Sequence, residues 1–268
     1  MTKAWKPWSL VKTINHLSGE KMMNESPSIE SVIREIAPYG KLRAAINYGN
    51  AVLVQRNAST GELKGVSVAL AKELARRFDL PLEMVPYNAA GKVVEALSRN
   101  EWDVAFLAVD PKRAADIYFT KPYVIIEGSF LVPVDSPYQR NDEMDQEGIR
   151  IAVGKNAAYD LFLSRTFKNA ELVRAATSPE AVDLFLEQKL EAAAGIRKYL
   201  VDCAESTPGL RVIDGRFMVI EQAMCVPVER KTAGCFLDLF IDEMITGGFI
   251  RKKLDENGQA DVTVAPVD

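Results

Sequence analysis

Apolar positions along the chain alternate between two spacings, one fitting helices and one fitting strands. Residues 28–37 (SIESVIREIA) put Ile29, Val32, Ile33 and Ile36 on one helical face, with Ser28 as the cap and Pro38 as the stop. LRAAINY after Gly40 reads as a strand, and the polar NASTGELKG as a turn. VSVALAKELARRF follows with an amphipathic stripe of Val68, Leu70, Ala71, Leu74, Ala75 and Phe78. Then come a strand (PLEMVPY), a helix (GKVVEALSRN, with Val93, Val94 and Leu97 inward) and a fully buried strand (WDVAFLAV). Strand, helix, strand, helix, strand is the order of a parallel sheet covered by helices.

Residues 111–116 read as a short helix with Asp110 as N-cap and Pro111 at its first position. YVIIEGSFLVPV is a long apolar strand, and the polar, turn-rich DSPYQRNDEMDQEG marks the crossing into a second lobe. There the alternation repeats: IRIAVG, AAYDLFLSRTF, AELVRA, SPEAVDLFLEQ (Ser178 as cap, Pro179 opening it), LEAAAGI, RKYLVDCAES and LRVIDG. FMVIEQAMCVPV matches the earlier long strand in length and character, so the two predict a two-strand hinge. The tail from Ala233 is helical, broken at Gly247-Gly248, and is expected to pack on the first lobe. The predicted architecture is α/β and two-lobed, each lobe a mostly parallel sheet flanked by helices. Residues 1–39 form an N-terminal extension with a helix, 40–132 and 224–268 lobe one, and 133–223 lobe two.

Composition narrows the function. The 268 residues suffice for two compact lobes, and a formal net charge of -4 speaks against nucleic acid. No apolar run reaches the ~20 residues of a membrane-spanning helix, so a soluble protein without membrane insertion is expected. The single histidine, His16, nearly removes imidazole catalysis and His-ligated zinc. Cys203, Cys225 and Cys235 are odd in number, lack C-x-x-C spacing and have apolar neighbours; buried free thiols are the expectation, with a disulfide left open. No cofactor or metal is implied. The first 28 residues have no apolar signal-peptide core, and Met22 and Met23 are alternative starts.

The ordered string GELKGVSVALAKELARRFDLPLEMVPYN and VVEALSRNEWDVAFLAVDPKRAADIYFTKPY resembles bacterial extracellular solute-binding proteins of family 3, the polar amino-acid type. The resemblance spans about residues 40 to 255. It implies a type II periplasmic-binding-protein fold, an ABC permease as partner, a periplasmic location and a monomer that catalyses nothing. Without an export signal, the cytoplasm is the alternative location. Arg113 in DPKRAAD falls on the arginine that grips a ligand carboxylate, a task suited to a planar two-pronged donor. Its bland alternative is an ion pair with Asp110 or Asp116. The loop GKNAAYD (Lys155, Asn156, Ala157, Ala158, Tyr159) supplies the second jaw through backbone N–H groups. Lys155 either adds charge there or is simply solvated.

Departures from the family pattern bear on the ligand. Where amino-acid binders have an aspartate for the ammonium, this chain has Ile196, then Arg197 and Lys198. Asn50 and Ala51 replace an aromatic-proline pair, and Ala108 replaces a hydroxyl. A buried ammonium without a counter-charge costs several kcal/mol. The expected ligand is therefore a small anionic metabolite, a mono- or dicarboxylate lacking an amine or else an atypical amino acid, held by Arg113, Lys155 and Arg197, unless Glu221 supplies the acid. Glu127 and Tyr159 are expected near the cleft or hinge. Rival readings are an enzyme like the cyclohexadienyl dehydratase branch, a ligand-sensing domain, and a LysR-type effector domain. The first needs an acid in GIRKYLVD, whose first acid is Asp202, and the last a helix-turn-helix that the N-terminal segment lacks.

Overall fold

A computed structural model describes residues 28–267. Helix α1 (Ile29–Ile36) starts where Ser28 accepts a hydrogen bond from the Ser31 N–H. Strand β1 (Leu42–Asn47) leads to a minimal hairpin, β2 (Gln55–Arg56) with β3 (Leu63–Lys64), where the sequence suggests only a turn. Helix α2 (Val66–Phe78) opens at Gly65, whose φ of 126° and near contact with the Leu53 carbonyl leave no room for a side chain. Strand β4 (Leu82–Tyr87), helix α3 (Ala90–Leu97) and strand β5 (Val104–Ala108) complete the first repeat. All five residues of β5 are buried, as its unbroken apolar run requires of a strand covered on both faces.

The segment expected as a helix at 111–116 is a single tight turn, Arg113–Ala115. Its N-cap position is Lys112, not Asp110 as expected, and no side chain caps it; the Asp110 carboxylate accepts from the Lys112 N–H at 2.9 Å, one residue ahead of the turn. The long strand β6 (Ile117–Pro133) then leaves the first lobe. In the second lobe β7 (Arg150–Gly154), α4 (Ala158–Thr166), β8 (Glu171–Ala175), α5 (Ser178–Glu187), β9 (Ala192–Ile196), α6 (Arg197–Ser206) and β10 (Leu210–Val212) follow the predicted order. The cap of α5 is Thr177, whose hydroxyl accepts from the Glu180 N–H; Ser178 is already helical. Strand β11 (Met218–Pro227) returns antiparallel to β6. Helices α7 (Lys231–Thr246) and α8 (Phe249–Glu256) and the short β12 (Thr263–Val264) end the chain.

The main sheet runs β4-β1-β5-β11-β6-β9-β7-β8. Both outer thirds are parallel, and only the pair β11 and β6 in the middle, with its neighbours, is antiparallel. The long strands therefore join the lobes as continuous chain in one sheet. Each half has its own core. Leu70, Leu74, Phe106, Phe240 and Ile241 pack in the first, which the tail helix α7 closes. Phe130, Ile151, Val153 and Leu163 pack in the second. Trp102 is fully buried, and its indole N–H donates to the Val93 carbonyl.

The three cysteines are free; Cys225 is buried, Cys203 half-buried and Cys235 exposed, so burial holds fully for one of them. Apolar neighbours in sequence mislead for Cys235, because on a helix they lie on other faces. Among the described residues no helix is long and apolar enough to cross a membrane, and no three His, Cys, Asp or Glu side chains cluster as a metal site would need. His16 and the alternative starts lie outside the described residues.

Candidate functional site

Strands of a parallel sheet end where the helices that follow begin, so their carboxyl ends gather loops and helix N-termini. Here the ends of β1 and β5 in the first lobe face those of β7, β8 and β9 in the second. Between them lies a cavity with about 50 Å³ open to the centre of a water molecule. Asn47, Asn50, Ser67, Ala108 and Arg113 line one side, and Lys155, Ala157, Ala158, Tyr159, Thr177 and Ser178 the other. Ile220 and Gln222 of β11 and Ile196 of β9 complete the wall. No aspartate or glutamate is among the lining residues.

Arg113 dominates the electrostatics. It is 4% exposed, and its Nη1 donates to the Ala108 carbonyl at 2.9 Å. Its Nη2 donates to the Asn156 carbonyl of the opposite lobe, also at 2.9 Å. Among the described residues no carboxylate pairs with it. Asp110, the ion-pair partner considered from sequence, bonds instead to Arg165 of α4 at 2.8 Å, across the cleft. Burial pushes the Arg113 guanidinium below its usual pKa, while Asp110 pulls the other way. An arginine remains charged through such shifts, so the site holds a desolvated cation with three N–H donors unspent.

The GKNAAYD loop divides its donors unevenly. Lys155 N–H donates to the Ala175 carbonyl, Asn156 N–H to Asp160 and Ala157 N–H to the Gly154 carbonyl. These three are consumed in holding the loop, with Asn156 at a φ of 59°. The N–H groups of Ala158, Tyr159 and Asp160, the first turn of α4, have no partner among the described residues. They are the ones that an anion would meet. Lys155 is exposed at the mouth, and no partner for its ammonium is present among the described residues. Burial pushes the Tyr159 phenol up to about 12, which keeps it neutral, and it donates to Ser178 Oγ at 2.8 Å.

Of the residues singled out from sequence, Arg113, Asn50, Ala108, Lys155, Ala157, Ala158 and Tyr159 line the cavity. Asn156 contributes its carbonyl to Arg113, while its side chain abuts Gly91 of the first lobe. Arg197 does not line the cavity. Its Nη1 donates to the carbonyls of Ile213 and Gly215, so it pins the turn before β11. Glu221 is exposed on the other face of β11, and Glu127 pairs with Arg216. Strand alternation explains the first: Ile220 and Gln222 point into the cavity, so Glu221 points away. Sequence reading missed Gln222, Asn47, Ser67 and Thr177. A single glutamine at an inward position of an otherwise apolar strand was the available signal for Gln222.

The family described as bacterial extracellular solute-binding proteins, family 3, matches residues 42–255. Among solved structures, a cysteine-binding protein from Campylobacter jejuni is 20% identical with a TM-score of 0.74, covering 88% of this chain and 99% of that one. An amino acid ABC transporter substrate-binding protein from Streptococcus pneumoniae, bound to L-arginine, is 19% identical with a TM-score of 0.72, covering 87% and 99%. An ancestral amino-acid-binding protein, a precursor of cyclohexadienyl dehydratase, is 16% identical with a TM-score of 0.69, covering 84% and 97%. At these identities the likeness is one of fold, the type II periplasmic-binding-protein fold. A search of curated proteins finds no match.

Proposed function

The chain belongs to the bacterial extracellular solute-binding proteins of family 3, and from that premise we propose that it binds a small carboxylate lacking an ammonium group between its lobes, without catalysis. The observation that carries this reading is the buried Arg113, which among the described residues has no acidic partner, in a cavity with no acidic residue among those that line it. A desolvated guanidinium gains most from a carboxylate that brings the missing charge and meets two of its remaining donors. An α-amino acid would bring an ammonium into the same space with no carboxylate to receive it. Ile196 stands in the wall where the family's amino-acid binders place an aspartate.

The jaws are residues 40–132 with 224–268 on one side and 133–223 on the other, swinging on β6 and β11. Ligand bridging Arg113 and the first turn of α4 favours closure, because it touches both jaws only when they meet. The closed, loaded protein then delivers its carboxylate to an ABC permease outside the cell, acting as a monomer. A dehydratase-like reaction would need a carboxylic acid beside the substrate, and Asp202 is exposed on α6, away from the cavity. Isothermal titration of the purified protein with short carboxylates and with amino acids tests this reading. Binding of carboxylates that disappears in Arg113→Met supports it. Tight binding of zwitterionic amino acids alone overturns it.

A further inference from the structure

We infer that the ligand is a 2-oxo monocarboxylate, an anion whose second functional group is an uncharged hydrogen-bond acceptor. This deepens the carboxylate reading and rests on it. The argument comes from the direction in which each polar group of the cavity points. Asn50 is 6% exposed, and its Oδ1 accepts from the Val52 N–H at 3.2 Å. Asn47 makes the same local turn, its Oδ1 accepting from the Gly49 N–H at 3.1 Å. In both amides the oxygen is committed to the backbone, so the NH2 group is the end left over, and neither Nδ2 has a partner among the described residues.

The hydroxyls repeat the pattern. Thr177 Oγ1 accepts from the Glu180 N–H, and Ser178 Oγ accepts from the Tyr159 hydroxyl. Each therefore keeps its own O–H to donate. With Arg113 and the first-turn N–H groups of α4, every one of these groups offers protons to the cavity. Gln222 is the adaptable member: it is 5% exposed, lines the cavity, and its amide has no partner among the described residues. Such a group is costly to leave unpaired, and it can turn either end toward a guest.

A wall of donors selects acceptors. An ammonium meets only neutral acceptors here, the Gln222 oxygen, the Ser67 hydroxyl and the second lone pairs of the asparagine, Thr177 and Ser178 oxygens, and no carboxylate among the lining residues offsets its charge. A hydroxyl must likewise spend its proton on one of these same few atoms. A carbonyl oxygen accepts and asks for no acceptor in return. A second carboxylate would also accept, but of the two cations that line the cavity only Arg113 is buried; Lys155 is exposed to solvent, so a second desolvated anion would lack a counter-charge. The small volume sets the carbonyl close to the carboxylate.

The test is isothermal titration of the purified chain with three-carbon acids that differ only at the second carbon: pyruvate, lactate, propionate and alanine. The five-carbon straight-chain counterparts and malonate are titrated alongside. The expected order is oxo, hydroxy, unsubstituted, with at least tenfold between first and third, malonate weaker than pyruvate, and no detectable heat from the amino acids. Equal affinities for all the monocarboxylates, lost in Arg113→Met, would overturn this inference and leave the carboxylate reading standing. Tighter binding of malonate or of an amino acid would overturn it as well. No binding by any of them would remove both. Asn50→Asp keeps the local turn but exchanges the donor for an acceptor. It should weaken pyruvate at least tenfold and bring alanine into the measurable range; an unchanged order of affinities would count against the proposal.

Discussion

Replacing Arg113 by methionine separates its binding role from its structural one. In the free protein the guanidinium is a desolvated charge, a situation that costs several kcal/mol. Methionine fills similar length without that cost but leaves the Ala108 and Asn156 carbonyls without their 2.9 Å donors. Each lost partner costs about 1–3 kcal/mol, so gain and loss nearly cancel. The melting temperature should stay within about 5 °C, since 1 kcal/mol moves a chain of this size by roughly 2–4 °C. Binding has no such compensation. The ligand carboxylate loses a charge-assisted, desolvated partner worth about 2–5 kcal/mol, or about 30-fold at least. Calorimetric titration with pyruvate, paired with a thermal melt, reads both quantities on one sample. Affinity within threefold of the parent would refute the anchor, and a melting temperature lowered by more than about 10 °C would mean the guanidinium is chiefly a structural brace.

Arg165→Ala removes the ion pair to Asp110 across the cleft; because Arg165 is partly exposed, the loss is about 1 kcal/mol, or roughly fivefold in the balance between closed and open lobes. A larger radius of gyration by small-angle scattering and a severalfold weaker carboxylate affinity should follow, and an unchanged radius and affinity would argue against the latch. Gly65→Ala should destabilise by about 3 kcal/mol, because a Cβ there would stand 2.2 Å from the Leu53 carbonyl at a φ of 126°. Gly40→Ala, with positive φ and open space, should cost only about 1 kcal/mol, and equal urea midpoints for the two would contradict the steric argument. Glu73 is held below the usual carboxylate range by the hydrogen bond from Arg76, against opposing burial and with help from Arg77. A depressed folded value means its stabilisation is present above about pH 4.3 and fades as pH falls through the folded value. Glu73→Gln should therefore lower stability at pH 7 and converge on the parent in acid; a constant gap in urea unfolding at both pH values would be inconsistent with this linkage.

Sequence made the layers of the fold legible because each element buries one periodic face. Of the stripe Val68, Leu70, Ala71, Leu74, Ala75 and Phe78, all but the half-buried Phe78 at the helix end are buried, and β5 is buried along its whole length as its apolar run required. What periodicity does not carry is the local choice between equivalent polar groups. Thr177 and Ser178 both suit a cap, and backbone geometry decided for Thr177. Sequence offered only Arg113 to Asp110, three residues before it; the fold instead brings Arg165 of the other lobe to Asp110 and turns Arg113 onto the carbonyls of Ala108 and Asn156. Arg197 follows β9 directly, yet its long side chain folds toward the carbonyls of Ile213 and Gly215, contacts made with a segment 16 or more residues away.

The same distinction explains why the family pattern could locate the cleft yet leave its chemistry to be read from the atoms. Helix N-termini and strand ends converge there for topological reasons, which any chain of this fold shares. Their N–H groups make the cleft a place for anions in general. Selectivity then depends on whether side chains answer those donors with acceptors of their own. Here they add donors instead: two asparagines turned by their own backbone, two hydroxyls already accepting, and one buried guanidinium. An acidic side chain at the position of Ile196 would reverse that balance at a single point, since one carboxylate both neutralises Arg113 and receives an ammonium. On the proposed reading, the choice between a plain carboxylate and an amino acid would turn on whether that one position carries a negative charge.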